Sequence, residues 1–204
     1  MASYFEEDPK SLSQEKVIKC YINDEHFSFI TDNDVFSKKG LDFGTRTLLE
    51  TIDIDSISGQ VLDFGCGYGP IGIYLAKHEK QVDMIDINNR AIELSKKNAK
   101  NNKVNPNIFA SDIYSNITHK YEYIISNPPI RVGKEILYKI LFGAKSYLEP
   151  NGHLIFVIHK DQGAKTLAKK LEEEYQVTIL NKNKGFFIID CQNRWQVVSG
   201  LVKL

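Results

Sequence analysis

A glycine-rich loop constrains this chain more than any other feature: Asp63-Phe-Gly65-Cys-Gly67-Tyr-Gly69 directly follows a short apolar segment. Glycine permits tight turns and lets a ligand approach the backbone closely. The spacing is neither the Gly-x-Gly-x-x-Gly of dinucleotide-binding loops nor the Gly-Lys-Ser/Thr of a phosphate-binding loop. A purely structural turn is the alternative interpretation. The pattern predicts a strand over Val61–Phe64, a turn, and a helix over Pro70–Lys77.

Strand-like and helix-like segments alternate along the rest of the chain, after a predicted β-hairpin made of Val17–Tyr21 and Phe27–Ile30. The alternation predicts an α/β domain in which a parallel sheet carries helices on both faces. The later strands are predicted at Gln81–Ile87, Asn107–Ala110, Tyr121–Ser126, His153–His159, Val177–Leu180 and Phe186–Ile189. The later helices are predicted at Asn88–Asn101, Gly133–Leu148 and Gly163–Glu174. Ligands of such sheets bind beyond the carboxyl ends of the strands.

The length of 204 residues suits one domain. We expect a domain over 1–190, with an N-terminal extension over 1–58 that contains the hairpin, and a tail over 191–204. No apolar run is long enough to cross a bilayer, and no signal-peptide stretch opens the chain, so a cytoplasmic protein that does not bind membranes is expected. Three scattered cysteines predict neither a disulfide nor a metal site. The formal net charge of zero argues against binding nucleic acid through bulk charge.

Two carboxylates stand at the ends of the strands that follow the glycine loop. Asp86 closes the second of these strands, where a carboxylate can accept hydrogen bonds from both hydroxyls of a ribose. Capping of the next helix, by Asp86 or by Asn88, is the structural alternative. Asp112 closes the third strand and is suited to accept from an exocyclic adenine amine. Such acids at successive strand ends favour a ligand of the adenosine type.

Asn127-Pro128-Pro129-Ile130 follows the fourth strand at the same edge of the predicted sheet. Proline removes backbone donors but leaves carbonyl acceptors free. The side-chain oxygen of Asn127 and the carbonyl of Pro128 can therefore receive both protons of an amino group. A strand-to-helix turn is the structural alternative.

The order of these motifs resembles that of class I methyltransferases that use S-adenosylmethionine (SAM). The resemblance implies a Rossmann-like, mostly parallel seven-stranded sheet plus the N-terminal hairpin. It also implies a set of cofactor-binding residues: Asp63, Gly65, Cys66, Gly67, Gly69, Asp86, Ile87, Asp112, Ile113 and Asn127. Asp63 would act on the amino group of the methionine part, directly or through water. Asn127, Pro128, Pro129 and Ile130 would form the catalytic segment. Family members that methylate planar amino nitrogens carry an aromatic residue where this chain has Ile130, so another ring, Phe36 or Phe43, would take over stacking on the substrate.

The segment Val35-Phe36-Ser37 to Asp42-Phe43-Gly44-Thr45 resembles the region before the SAM fold in the methyltransferase small-domain family. That family includes the ribosomal RNA guanine-N2 methyltransferases of the RsmC type, so the resemblance implies methylation of guanine N2 in small-subunit ribosomal RNA by a single catalytic domain, with a monomer favoured. The implied substrate-binding residues are Phe36, Phe43, Gly44, Thr45 and Arg131. A protein glutamine methyltransferase and a non-catalytic SAM- or RNA-binding module remain alternatives.

Overall fold

The computed structural model describes residues 12–33, 35 and 40–194. The chain opens with an antiparallel hairpin of β1 (Lys16–Ile22) and β2 (Glu25–Thr31). The turn holds only Asn23 and Asp24, both with positive φ, 46° and 64°. This is the backbone of the tight turns that best match the twist of paired strands, and Asn and Asp tolerate it. The predicted hairpin is confirmed, and its strands extend closer to the turn than expected because Glu25 pairs with Ile22.

A seven-stranded sheet forms the centre of the molecule, in the order β5-β4-β3-β6-β7-β9-β8. Its first five strands are parallel, and β9 runs antiparallel to both β7 and β8. The strands are β3 (Gln60–Phe64), β4 (Gln81–Asp86), β5 (Asn107–Ala110), β6 (Tyr121–Ser126), β7 (Leu148–His159), β8 (Gln176–Asn183) and β9 (Phe186–Gln192). The mostly parallel seven-stranded sheet predicted from the sequence is confirmed.

Five α-helices accompany the sheet in the described residues: α1 (Phe43–Thr51), α2 (Pro70–Lys77), α3 (Asn89–Asn101), α4 (Lys134–Gly143) and α5 (Ala164–Leu171). Neighbouring residues of each strand pack into opposite layers. Val61 belongs to the core layer of the hairpin, α1, α2 and α3, and Leu62 belongs to the layer of α4 and α5. Because side chains alternate across a strand, each central strand is apolar on both faces.

Several predicted elements have other bounds in the structure than expected. The helix predicted over Gly133–Leu148 stops at Gly143 and continues as a 3-10 turn, Ala144–Tyr147. The next strand starts at Leu148, before the Pro150-Asn151-Gly152 segment that was expected to separate helix from strand. Asn151 and Gly152 exchange backbone hydrogen bonds of 3.0 and 2.8 Å with Asn193. The last strand thus reaches Gln192, inside the segment expected to be a tail.

Asn98 joins the hairpin to the central domain. It is fully buried on α3, and its side chain bonds both the N–H and the carbonyl of Ile30, at 2.6 and 2.8 Å. It also donates to the carbonyl of Tyr68 in the glycine loop at 2.8 Å. One amide therefore ties the hairpin, α3 and the glycine loop together.

Replacing Asn98 with alanine is expected to lower the free energy of unfolding by about 3 kcal/mol, because buried backbone groups would lose their partners. Urea unfolding measures the change. Asn102→Ala is the matched control, since Asn102 bonds Ser28 from a half-exposed position on the same helix, and should cost about 1 kcal/mol or less. Equal losses in the two variants would contradict the role given to Asn98.

Three thiols, Cys20, Cys66 and Cys191, are free and buried, one each in the hairpin, the glycine loop and the last strand. Burial raises the pKa of each of them. Among the described residues, every helix is too short or too polar to traverse a lipid bilayer.

Candidate functional site

The carboxyl ends of β3, β4, β5 and β6 lie side by side at one edge of the sheet. Chain order reverses between β3 and β6, because β4 and β5 extend the sheet on one side and β6 and β7 on the other. In open parallel sheets this switch point leaves a crevice in which ligands bind. The glycine loop leaves β3 at this point, and Asn127 leaves β6 beside it.

All three loop glycines have positive φ, and Gly65 and Gly69 need to be glycine for different reasons. A Cβ added at Gly65, where φ is 70°, would meet nothing within 4 Å, and this glycine lines the adjoining cleft. A Cβ at Gly69, where φ is 96°, would approach Ile73 to 2.8 Å, so glycine there is needed for core packing at the start of α2. Gly65 is thus the position at which the backbone is open to a ligand.

Cys66 turns its side chain away from the cleft. Its sulfur lies 3.5 Å from the hydroxyl of Ser95 on α3, and it is almost fully buried. Burial, and then the nearby carboxylates of Asp86 and Asp63, raise the pKa of the thiol. Only the backbone of Cys66 remains as a means of contacting a cofactor.

Asp63 lies beneath the glycine loop and is fully buried. Its Oδ2 accepts from the N–H of Gly72 at 2.8 Å, whereas Oδ1 has no hydrogen-bond partner within the described parts of the chain. Burial raises the pKa of Asp63 to about 8, with a smaller contribution from the charge of Asp86. An unpartnered buried acceptor next to a ligand cleft fits a cationic group of a cofactor.

Asp86 holds the glycine loop against the end of β4. Its two oxygens accept from the N–H groups of Gly67 and Asn88, each at 2.9 Å. Burial raises the pKa of this carboxyl, and the backbone hydrogen bonds oppose the shift. The cap of α3 is Asn88, whose side chain accepts from Arg90 and Ala91. Capping therefore does not occupy Asp86, and a carboxylate with about four acceptor sites retains capacity for a ligand.

A cleft extends from Gly65 along the ends of β4 and β5. Predicted residues on its wall are Gly65, Asp86, Ile87, Asp112, Ile113 and Pro129. Ile113 has a φ of 50°, a strained conformation for a β-branched residue. Its carbonyl accepts from the hydroxyl of Ser111 at 3.1 Å, which helps to hold the turn. Strained residues of this kind cluster at functional sites.

The opposite wall of the cleft was missed by sequence reasoning. It is formed by Val132, Ile136 and Ile140, from the turn after Pro129 and from α4. On an amphipathic helix such residues have the same spacing as core residues, so the sequence carries no signal that distinguishes them. The side chain of Ile136 is 38 % exposed in the structure, as expected for a residue that lines a cleft.

The amide of Asn127 is anchored from the other side of the site. Its Nδ2 donates to Oδ2 of Asp42 at 3.1 Å and to Oγ1 of Thr45 at 2.9 Å. A carboxylate can only accept hydrogen bonds, so the nitrogen of the amide must face Asp42. Its oxygen Oδ1 is left as a free acceptor among the described residues.

The structure describes most of the other predicted acceptor-site residues. Pro128 is buried, and Ile130 is half-buried against the core layer of α4 and α5. Arg131 belongs to the 3-10 turn Ile130–Val132. Phe36 lies outside the described residues.

Phe43, Gly44 and Thr45 form the first turn of α1, directly beside Asn127. A Cβ at Gly44 would lie 2.9 Å from both the Asp42 carboxylate and the ring of Phe186, so the backbone packs closely there. The rings of Phe43 and Phe186 are 5.6 Å apart, and Nζ of Lys184 lies 5.1 Å from the centre of the Phe43 ring. Sequence reasoning missed Phe186 and Lys184, which reach this edge through the β8–β9 turn.

Comparison with models of known protein families identifies the family of this chain. The model of the methyltransferase small domain matches residues 26–190, which is most of the chain. The chain belongs to the methyltransferase small-domain family. The resemblance to this family, inferred from the segment between Val35 and Thr45 together with the glycine loop and the Asn-Pro-Pro segment, is thereby confirmed.

Two relatives of this small-domain methyltransferase differ in length. "Uncharacterized protein YbxB" of Bacillus subtilis is 40 % identical, over 91 % of this chain and 96 % of that protein. "Ribosomal RNA small subunit methyltransferase C" of Vibrio parahaemolyticus is 37 % identical, over 74 % of this chain but 46 % of that protein. The chain therefore spans about half the length of the curated methyltransferase C relatives that it matches.

Among solved structures, the "T. Thermophilus 16S rRNA N2 G1207 methyltransferase (RsmC) in complex with AdoMet and Guanosine" aligns with a TM-score of 0.81. It is 22 % identical and covers 91 % of this small-domain methyltransferase and 52 % of that chain. A ribosomal protein L11 methylase from Lactobacillus delbrueckii aligns with a TM-score of 0.62 at 21 % identity, over 74 % of this chain and 78 % of its own. At these identities the matches show a shared Rossmann-like methyltransferase fold.

Proposed function

We propose that this protein transfers a methyl group from SAM to the exocyclic N2 of a guanine in small-subunit ribosomal RNA. SAM is the methyl donor used by the family to which the chain belongs. The observation that carries the proposal is the Asn127 amide, whose nitrogen is anchored on Asp42 and Thr45 and whose oxygen is a free acceptor among the described residues. Names of the methyltransferase C relatives support ribosomal RNA as the substrate class.

The cleft fits the parts of SAM one by one. Asp86 has acceptor capacity for the ribose hydroxyls, and Asp112 lies further along the wall, where an adenine amine would reach it. The unpartnered Oδ1 of Asp63 suits the ammonium group of the methionine part. Gly65 leaves open space where a side chain would otherwise stand. Bound SAM supplies an electrophilic methyl group.

The catalytic work of the protein in this proposal is positioning. Oδ1 of Asn127 and the carbonyl of Pro128 accept the two N–H groups of the guanine amine, which directs its lone pair toward the methyl donor. Positive charge develops on the nitrogen as it attacks, and both oxygens stabilise it. The bond between the methyl carbon and sulfur would break as the nitrogen–carbon bond forms, which leaves S-adenosylhomocysteine, and one amine proton would pass to solvent to give the monomethylated amine.

A planar base requires flat surfaces near this acceptor site. Phe43 and Phe186 provide rings next to Asn127, and Lys184 provides a cation beside them that suits an RNA phosphate. Flipped or single-stranded bases stack on such rings with a gain of about 1–3 kcal/mol. The ring at Phe186 fits the role that Ile130 cannot fill.

We also propose that the methyltransferase domain expected over 1–190 is one domain that extends through β9 to Gln192, with the hairpin as part of the extension over 1–58. Support comes from the core, because Phe27 and Phe29 of the hairpin are fully buried in the same layer as Leu48 of α1 and Met84 of β4.

The test uses the purified protein, methyl-labelled SAM and small-subunit ribosomal RNA or particles from cells that lack this protein. Nucleoside mass spectrometry is expected to find N2-methylguanosine, which the Asn127→Ala protein should form about 10³-fold more slowly. Label recovered on glutamine of a protein would instead establish the glutamine methyltransferase. SAM binding without transfer to any cellular RNA or protein would establish the non-catalytic module. Either result overturns the proposal.

A further inference from the structure

We propose that Asp42 is a positioning residue for methyl transfer, which acts through Thr45 and Asn127 to keep the oxygen of the Asn127 amide turned toward the acceptor amine. This inference rests on the proposed function of Asn127. The observation behind it is a single carboxylate oxygen that bonds two different elements. Oδ2 of Asp42 accepts from the N–H of Thr45 at 3.0 Å and from Nδ2 of Asn127 at 3.1 Å.

An asparagine amide needs such a partner to hold one orientation. Its oxygen and nitrogen ends are nearly equal in size, so rotation by half a turn exchanges them with little steric consequence. In the rotated state the NH₂ group would face the N–H groups of the acceptor amine, and no hydrogen bond could form. Catalysis by Asn127 therefore depends on which end faces the substrate.

Thr45 by itself cannot impose that choice. Its hydroxyl, 2.9 Å from Nδ2 of Asn127, can donate as well as accept and would adapt to either orientation. Asp42 can only accept, so rotation of the amide would place two oxygens against each other. The carboxylate is thus the member of the group that selects the orientation.

The charge of Asp42 adds a second effect. A carboxylate at the NH₂ end of an amide polarises it and increases the negative charge on the oxygen at the other end. That oxygen is the group proposed to face the developing positive charge on the acceptor nitrogen. Asp42 would therefore favour the transition state more than the bound substrate.

Asp42 is positioned by the helix that it caps. It is the N-cap of α1, and Leu48 and Leu49 of that helix are fully buried. Gly44 packs so closely that an added Cβ would lie 2.9 Å from the Asp42 carboxylate. The carboxylate therefore stands at the start of a helix anchored in the core, close to the backbone of Gly44.

The decisive variant is Asp42→Ser. Serine is a good N-cap and keeps an acceptor for the N–H of Thr45, but its hydroxyl is shorter and can also donate. We expect kcat to fall by about 10- to 100-fold, with SAM affinity, KM for the methyl acceptor and melting temperature close to wild type. Asp42→Asn retains an oxygen for both hydrogen bonds but loses the charge, and it is expected to recover part of the lost kcat. Asp53→Ser, at the cap of the 3-10 turn Ile54–Ser56, is the matched control and should change nothing.

Two further measurements separate positioning from folding. In an Asn127→Ala background, Asp42→Ser should cause no additional loss of kcat, since the amide that it orients is gone. In NMR spectra the side-chain NH₂ signals of Asn127 should be protected from exchange in wild type and lose that protection in Asp42→Ser. The NMR result does not require turnover, so a wild-type protein that methylates nothing would defeat the proposed function while leaving this inference testable. Unchanged kcat or unchanged NH₂ signals in Asp42→Ser would overturn it, as would equal losses in Asp42→Ser and Asp42→Asn.

Discussion

Replacing Asn127 with alanine is expected to lower kcat by about 10³-fold, because the amine would lose the acceptor that orients it and stabilises its developing charge. SAM affinity should stay within about threefold of wild type, since the side chain of Asn127 is anchored on Asp42 and Thr45 on the acceptor side of the site. Single-turnover methylation and calorimetric SAM binding measure the two quantities separately.

Asn107→Ala is the control for this variant. Asn107 begins β5 at the opposite edge of the sheet and bonds Asp83 at 3.1 Å, so its replacement should leave both quantities unchanged. Parallel losses of turnover and SAM affinity in Asn127→Ala would contradict a role confined to the acceptor.

SAM affinity is expected to rise about tenfold between pH 6 and pH 7, and less steeply toward pH 8, through the titration of Asp63. Its pKa of about 8 leaves the buried carboxyl mostly protonated at neutral pH in the absence of cofactor. Cationic groups of SAM favour the carboxylate, so binding should release close to one proton. Calorimetry in buffers of different ionisation enthalpy measures that proton directly.

The same shift sets the sign of a stability effect in the cofactor-free protein. The folded pKa of Asp63 lies above its ordinary value of 3.8. Its contribution to stability is therefore fully present below about pH 4 and is lost as the pH rises through about 8. Asp63→Asn keeps an acceptor for Gly72 but cannot titrate, so it should bind SAM more weakly, release no proton and lose this part of the pH dependence. Proton release that persists in Asp63→Asn would assign the titration to another group, of which Asp86 is the nearest carboxyl with a raised pKa.

Much of the sheet could be predicted because its signals are local. The bounds predicted for α2, β5 and β6 are those of the structure, since an apolar run or a glycine turn marks each of them. The end of α4 was predicted too late, because Ala144–Tyr147 keeps helical spacing while its backbone tightens into a 3-10 turn. β8 was predicted too short, since its last residues, Asn181–Asn183, form an exposed edge with polar side chains.

The acceptor site was also predicted only in part, and again the predicted part has a local signal. The Asn127 segment was found because it follows a strand, and strand ends meet at one edge of the sheet. The hydrogen bond between Asp42 and Asn127 was not predicted. It joins residues 85 positions apart and depends on how α1 packs against the sheet. Local sequence reveals Asp42 only as a helix cap, which is the other half of its role.

The buried thiols give the molecule three built-in reporters of local opening. An alkylating reagent reacts with the exposed thiolate, so Cys20, Cys66 and Cys191 become reactive only when their surroundings open. The separate labelling rates of the three thiols would show how readily the hairpin, the glycine loop and the last strand each open in the native protein. If SAM slows the alkylation of Cys66 much more than that of Cys191, the cofactor stabilises the glycine loop more than the last strand.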